Sequence, residues 1–510
     1  VEPKRLHELM PLPGLAQQWV DVCVYGVSSD SRQVQRGDLF VTCLGEPKRQ
    51  RSYIEQAQAN GAAAVVIDAE QALKLDPSNL TVPIIGLQNL AQIQGLIAAR
   101  VNQEPSQQMS LIGITGTNGK TSCSHFIAQC LQQLGHTCGV MGTLGYGLLK
   151  QLQQGPNTTP DEVTMQCHLG AMVQAGASAC AVEVSSHGLD QGRLNGCEFT
   201  TAVFTNLTQD HLDYHGSMQA YGLVKAQLFK WPSLRHAVIN FDDDFGRGLL
   251  NEIAPSVITY TYSAQVSEVD YVDLGVSHVK QHSQGLEAMV CTPMGSGLLQ
   301  VGLIGRFNLS NLLATLAVLL LHRIELNAAL AALNKLSTVC GRMQLVGNDK
   351  CQSKNQHSQA IVDYAHTPDA LEQALMAAKE HLPNGQLWVV FGCGGDRDVG
   401  KRAKMAAIAE RWADYVVVTD DNPRSESSAA IVADICRGFK RQDRVIVETD
   451  RTAAIALAMS QAKSGDLVLI AGKGHETYQE IKGEKHHFSD QEQVLKVLKA
   501  ANKQKAGSSS

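Results

Sequence analysis

The sequence predicts an α/β fold of several domains with mostly parallel sheets. Three observations carry that reading. An apolar strand runs through a glycine loop into a helix over Leu111–Ser122, LIGITGTNGKTS. The last third of the chain repeats strand, loop and helix several times, which implies parallel strands covered by their connecting helices. And 510 residues exceed what one hydrophobic core holds, so two to four domains are expected.

In the first hundred residues, Leu39–Leu44 reads as a strand, Tyr53–Asn60 as a helix and Ala63–Ile67 as a buried strand. The hydroxyl-rich loop before them, Ser28–Arg32, reads as a capped turn. In the middle segment the strand Leu111–Ile114 is followed by Phe126, Ile127, Cys130, Leu131 and Leu134 at helical spacing, with Gly135 as the stop. Ala179–Val184 and Thr201–Thr205 are strands that end in polar loops. Gly302–Asn311 opens a long apolar helix. Asp349–Ser358 is polar and reads as an exposed loop. Beyond it, Ala360–Asp363, Leu387–Phe391, Tyr415–Thr419, Arg444–Val447 and Leu467–Ala471 are strands. The polar tail is expected to be disordered.

Composition excludes several classes. The chain is 44% hydrophobic and 18% charged, with a net charge of −6, which argues against a general nucleic-acid binder. It shows no apolar run of membrane-spanning length and no signal-peptide pattern. Its thirteen cysteines are scattered, with no C-x-x-C pair. That suits reduced thiols and a cytoplasmic location.

The loop at residues 116–122 has the context that phosphate binding requires. Backbone N–H groups and a helix N-terminus face an anion, Lys120 reaches the outer phosphates, and Thr121 can ligate Mg²⁺. The strict Walker spacing is not met, because Ile114 stands at the first-glycine position.

Ligands in open parallel sheets bind beyond the carboxyl ends of strands. Glu183 ends a strand there, followed by Val184-Ser185-Ser186-His187-Gly188. Asn206–Asp213 follows the next strand and contains His211. A carboxylate and an imidazole beside a phosphate loop can hold Mg²⁺ against a nucleotide. Four later strand ends carry Asp363–Asp369, Gly392–Asp398, Thr419–Arg424 and Ala471–Glu476. Thr367-Pro368 is also a good helix start. Two arginines and several carboxylates on one sheet edge suit a small zwitterion.

Gly116–Thr121, Glu183–His187, Asn206–His211, Gly305–Asn311, Gly341-Arg342-Met343 and Asp363–Pro368 together resemble the Mur ligases, in order and over nearly the whole chain. These are ATP-dependent amide ligases of peptidoglycan synthesis. Asp421-Asn422-Pro423-Arg424 is similar to the signature of the branch that adds meso-diaminopimelate. The resemblance implies a domain for the UDP substrate at 1–104, a central P-loop ATPase domain at 105–340 and a C-terminal Rossmann-like domain at 341–500, with 501–510 as tail. It implies ATP as co-substrate, two Mg²⁺ sites, and a monomer acting on UDP-MurNAc-L-Ala-D-Glu and meso-diaminopimelate, with no nucleic acid and no membrane insertion.

It also implies roles. Ser29 and Ser31 would meet the UDP moiety, and Asn157, Thr158, Thr159, Ser185, Gln191 and Arg193 the muramoyl-dipeptide. Gly116, Thr117, Asn118, Gly119, Lys120, Thr121 and Ser122 would bind ATP, with Asn308, Arg342, Asp363 and His366 closing over it. Lys120, Glu183, His211 and Lys225 would be the catalytic set. Thr121, Glu183, His211 and an N-carboxylated Lys225 would position the metal. Arg397, Asp421, Asn422, Pro423, Arg424, Gly472 and Glu476 would bind diaminopimelate. The same reaction with L-lysine, a folylpolyglutamate synthetase-like ligase and a non-catalytic scaffold are the rival readings. One departure is the loop Glu46–Arg51, where Lys48 and Arg49 replace the family's usual uridine-binding residues and could face the diphosphate.

Overall fold

Three α/β units follow one another along the chain, each built on its own sheet. The computed structural model describes residues 2–10, 19–43, 47–76, 78–282, 285–347, 358–382, 384–441 and 443–508, with backbone alone for 47, 48, 268 and 501–508. Of the expected loop Asp349–Ser358, all but Ser358 lies outside the described residues, as do Leu44–Glu46.

The first unit is a four-stranded parallel sheet, Gly26–Ser28, Asp38–Thr42, Ala64–Asp68 and Ile84–Leu87 in chain order. The helix after its second strand starts at Pro47 and runs to Ala59. Most of the expected Glu46–Arg51 loop is therefore its first turn. Proline is tolerated in the first turn of a helix because it forfeits no hydrogen bond there and its φ is pre-set.

The second unit has seven strands. From edge to edge they are Ile258–Tyr262, His236–Asn240, Phe199–Phe204, Ser110–Thr115, Ala179–Glu183, Cys138–Gly142 and Gly145–Leu148. All pairs are parallel except the final hairpin. Glu183 pairs with Ile114 and Phe204 with Thr115, so three strands release their next residues at one edge. The helix Phe307–Leu321 packs across this sheet and is apolar on nearly every face, which is why its sides are buried all round. An antiparallel meander, Gly275–His282, Gly285–Thr292 and Gly295–Val301, joins the same core. Its strands mix in glycine, histidine and lysine, so no run of apolar residues marks it in the sequence.

The third unit has six strands in the order Gln344–Val346, Gln359–Asp363, Leu467–Ala471, Leu387–Phe391, Tyr415–Val418 and Val445–Val447, the first antiparallel and the rest parallel. The last helix runs Asp490–Ser508. It occupies most of the tail expected to be disordered; its Ala-, Lys- and Gln-rich composition favours helix over coil.

Candidate functional site

Gly119 caps the helix Lys120–Gln133 with φ +89°, and a Cβ there would lie 2.6 Å from Asn311 Oδ1. Gly116 has φ +146°, and a Cβ there would strike Thr205 Oγ1. Both positions therefore need glycine, for backbone and for space. Neighbouring strand ends lock the loop. Asn118 N–H donates to Asn206 Oδ1 at 2.9 Å, and Thr205 Oγ1 donates to Asn118 O at 2.6 Å. The departure from Walker spacing leaves a loop held from outside, with its glycines where the backbone turns.

Lys120 Nζ donates to Gly116 O and Thr117 O, each at 2.8 Å. Lys225 Nζ donates to the same Gly116 O at 2.9 Å. Burial lowers the pKa of both amines, Lys225 well below its ordinary value, and Lys120 adds repulsion to Lys225. Lys225 is 1% exposed and sits 4.5 Å from the Tyr221 ring centroid. Two amines on one carbonyl create a site hungry for negative charge.

Glu183 is fully buried. Its carboxylate accepts from Thr121 Oγ1 at 2.9 Å and from Thr143 N–H and Oγ1 at 3.0 Å each. The structure thus brings Thr121 and Glu183 together at the head of the helix. His211 stands apart from that pair, in the left-handed region at φ +52°. Its ring meets His187 edge-on at 4.9 Å, and burial pushes its pKa down to about 4, against the pull of Asp210. It is a neutral imidazole at working pH, with a lone pair to offer. Among the described residues no three His, Cys, Asp or Glu gather as a metal cluster.

The third unit reaches over the loop. Arg342 Nη2 donates to Thr121 Oγ1 at 3.1 Å while its guanidinium lies 4.5 Å from the Tyr364 ring centroid. Asp363 accepts from Met343 N–H at 2.6 Å and Ala365 N–H at 2.8 Å, and burial raises its pKa. His366 Nδ1 lies 2.9 Å from Tyr364 O, and burial lowers its pKa. Asn308 reaches the loop indirectly: Asn311 Nδ2 donates to its Oδ1 at 3.2 Å, and Asn311 lies against Gly119. Asn118 Nδ2 donates across the units to Asp369 Oδ2 at 3.0 Å.

A second group adjoins Glu183. Thr159 Oγ1 donates to Glu183 O at 2.8 Å and accepts from Ser185. Ser185 also caps the helix Ser186–Asp190. Arg193 Nη1 donates to Thr159 O at 2.9 Å, and its Nε and Nη2 fork onto Gln191 Oε1. Thr158 Oγ1 is 3.2 Å from Thr143 Oγ1, and Asn157 O accepts from the Tyr146 hydroxyl. Ser29 Oγ donates to Asp161 Oδ1 at 3.2 Å, linking the first unit to this group. Ser31 is buried, and its hydroxyl donates to Gln56 Oε1 at 2.7 Å.

The third cluster sits at the carboxyl edge of the six-stranded sheet. Lys473 is completely buried and donates to Glu476 Oε2 at 2.9 Å, Asn422 Oδ1 at 3.0 Å and Asp421 Oδ1 at 3.4 Å. Asn422 Nδ2 donates to Glu476 Oε2 at 2.9 Å. The Gly472 Cβ position is 3.4 Å from Asp421 Oδ2. Beyond Pro423, Arg424 has φ +51°, its Nη1 donates to Gly395 O at 2.7 Å and its Nε is 3.4 Å from Glu480 Oε2. Arg397 is exposed on the facing loop, with Nη1 3.4 Å from Asp396 O.

Sequence reasoning missed Lys473, Glu480, Asn311 and Thr143. Lys473 lies inside the glycine-flanked loop already singled out, so a buried lysine was readable there. The others are ordinary residues brought in by tertiary packing. Lys473→Met would leave Asp421 and Glu476 without their shared cation. The expected result is a loss of about 3 kcal/mol in urea unfolding, the scale of breaking a buried pair; an unchanged midpoint would contradict that role.

The model of the Mur ligase middle domain matches residues 114–319, and that of the Mur ligase glutamate ligase domain matches residues 341–474. A UDP-N-acetylmuramoyl-L-alanyl-D-glutamate–2,6-diaminopimelate ligase of Pseudomonas aeruginosa is 50% identical over 499 residues, covering 98% of this chain and 99% of that one. The enzyme of the same name from Ectopseudomonas mendocina is 48% identical over 501 residues, again 98% and 99%. A solved structure with that enzyme name superposes with a TM-score of 0.69 at 37% identity, over 98% of this chain and 99% of the other.

Proposed function

The chain belongs to the Mur ligase family, and on that premise we propose that it joins meso-2,6-diaminopimelate to UDP-N-acetylmuramoyl-L-alanyl-D-glutamate at the expense of ATP. The observation that supports this reading is the bridge between the carboxyl edges of two sheets: Arg342 and Asp369 of the third unit bond Thr121 and Asn118 of the nucleotide loop, Thr159 bonds Glu183 beside that loop, and the Asp421–Arg424 cluster lies on the third unit's edge. A carboxylate is a poor electrophile in water. The γ-phosphoryl group of ATP passes to the D-glutamyl γ-carboxylate, giving an acyl phosphate. The diaminopimelate amine then attacks the acyl carbon and phosphate leaves. Each encounter sets anion against anion, so catalysis is positioning plus charge.

In this reading Lys120 releases the carbonyls of Gly116 and Thr117 to meet the outer phosphates. Arg342, stacked on Tyr364, closes on the same group from the third unit. Thr159, Ser185, Gln191 and Arg193 hold the dipeptide. Asn422, Arg424 and Glu476 hold the amino acid, with Arg424 toward its distal carboxylate.

The donor set fits magnesium. A buried carboxylate and a helix-head hydroxyl suit a hard cation, and Thr121 and Glu183 would hold it, with His211 joining them from where it stands apart. Bound there, the ion would draw charge from the transferring phosphoryl group. Lys225 fits the metal only as an anion. Its depressed pKa keeps a share of neutral amine, which can add to CO2 with loss of one proton to give a carbamate. Activity is therefore expected to fall severalfold when dissolved CO2 is stripped and to return with bicarbonate; indifference to both would contradict the modification.

The divisions at 1–104, 105–340 and 341–500 follow the three sheets in this reading, and the protein acts as a cytoplasmic monomer. The twelve described cysteines are all free thiols, and no described helix is long and apolar enough to cross a membrane. Against a folylpolyglutamate synthetase-like activity stand the parallel sheet of the first unit and the Asp421–Arg424 loop. Against a scaffold stands the full set of Lys120, Glu183 and His211. The deciding experiment is phosphate release from ATP with each third substrate in turn.

A further inference from the structure

A cleft of about 540 Å³ opens at the amino ends of the two outermost strands of the seven-stranded sheet, His236–Asn240 and Ile258–Tyr262, at the end opposite the nucleotide loop. Its polar lining includes Arg235, His236, His322 and Arg323, and Leu234 and Ile258 stand on its apolar side. No acidic residue lines it. Neither the Arg235 nor the Arg323 guanidinium has a hydrogen-bond or ion-pair partner among the described residues. Two unpaired guanidiniums lining one concave surface offer forked donors to the oxygens of one anion.

The position of Arg323 adds an independent observation. It follows His322, the C-cap of the helix Phe307–Leu321, and has φ +61°. This is where a helix ordinarily places glycine, because a Cβ is strained there. A guanidinium is kept at the cleft in spite of that strain.

The two histidines are prepared as neutral partners. Thr201 Oγ1 lies 3.1 Å from His322 Nε2 and 3.4 Å from His236 Nδ1. One hydroxyl donates to one ring and accepts from the other, and because it meets Nε2 of His322 and Nδ1 of His236 the two rings take the same tautomer. One of them keeps an N–H for another partner. Burial lowers the pKa of both rings, that of His322 to about 4, so the positive charge of the cleft resides on the arginines.

We propose that this cleft is an anion site separate from the reaction centre, and that it takes a small phosphate-bearing molecule with an apolar or ring-shaped body. Its volume is that of a small-molecule site. Arg235 and Arg323 would clamp the phosphate oxygens, a histidine N–H would donate a third bond, and Leu234 and Ile258 would cover the body. The helix between the cleft and Asn308 spans fifteen residues, roughly 22 Å at the usual rise. A nucleotide in the glycine loop therefore does not fill the cleft.

The test is calorimetric titration of inorganic pyrophosphate and of phenyl phosphate into the Lys120→Ala full-length protein, whose nucleotide loop is disabled. Saturable one-to-one binding is expected, weakened at least tenfold by adding Arg235→Gln and Arg323→Gln. Tighter binding of phenyl phosphate would assign the apolar wall to the ligand body, and equal binding would assign the site to phosphate alone. Both side chains are exposed, so the variants should melt as their parent does. Absence of saturable binding, or affinity unchanged by the two glutamines, overturns the proposal.

Discussion

Lys120→Ala is expected to lower phosphate release about a thousandfold or more, equivalent to about 4 kcal/mol of transition-state stabilisation. The ammonium holds two loop carbonyls at 2.8 Å, a reach that can be traded for phosphate oxygens without moving the helix. Lys225 cannot substitute for it, being buried and bound to the same carbonyl. Removing Lys120 takes two hydrogen bonds from the loop carbonyls and one like charge from beside Lys225, so the melting temperature is measured with the activity. The loss belongs in kcat, with the Michaelis constant for diaminopimelate little changed. Loss of activity matched by a lower melting temperature would point to a folding defect instead.

Arg424→Ala is expected to cost several orders of magnitude in diaminopimelate turnover while ATP binding stays near normal. A distal carboxylate distinguishes diaminopimelate from lysine. A guanidinium facing it gains a charge-assisted pair, and lysine would set an ammonium against it. The surroundings of the arginine fit the proposed role: its backbone N–H donates to Glu480 O at 3.0 Å, its Nη1 is tied to Gly395 O, and its Nε lies 3.4 Å from Glu480 Oε2. Nη2 has no hydrogen-bond partner among the described residues, which leaves a donor for the proposed substrate carboxylate. Its left-handed backbone is as strained with alanine as with arginine, so the substitution changes charge more than geometry. Turnover of L-lysine should rise relative to diaminopimelate. Equal losses in ATP binding and diaminopimelate turnover would argue that the loop has collapsed.

The parallel strands were legible because they are short continuous apolar runs bounded by polar loops, as at Ala179–Glu183 and Leu467–Ala471. The loop Gly116–Gly119 was legible because its glycines serve backbone geometry that no other residue meets. What stayed hidden depends on contacts between distant segments. Asn311 looks like any polar residue on a helix until that helix is laid across Gly119. Lys473 looks like a surface lysine until the Asp421–Asn422 loop folds over it. The helix through Pro47 and the continued helix to Ser508 differ from expectation for a local reason: proline and alanine-rich polar runs suggest loop by composition, while their backbone preferences permit helix. The basic cleft was invisible in sequence because Arg235 and Arg323 are 88 positions apart.

The central claim is that the glycine loop and the Asp421–Arg424 cluster serve one amide-forming reaction. Phosphate release from ATP measures it directly, with UDP-MurNAc-L-Ala-D-Glu present and the third substrate varied. The account predicts rapid release with meso-diaminopimelate, at least a hundredfold less with L-lysine or glutamate, and none without the UDP substrate. Release that is equal for lysine and diaminopimelate, or that proceeds without the UDP substrate, would contradict it.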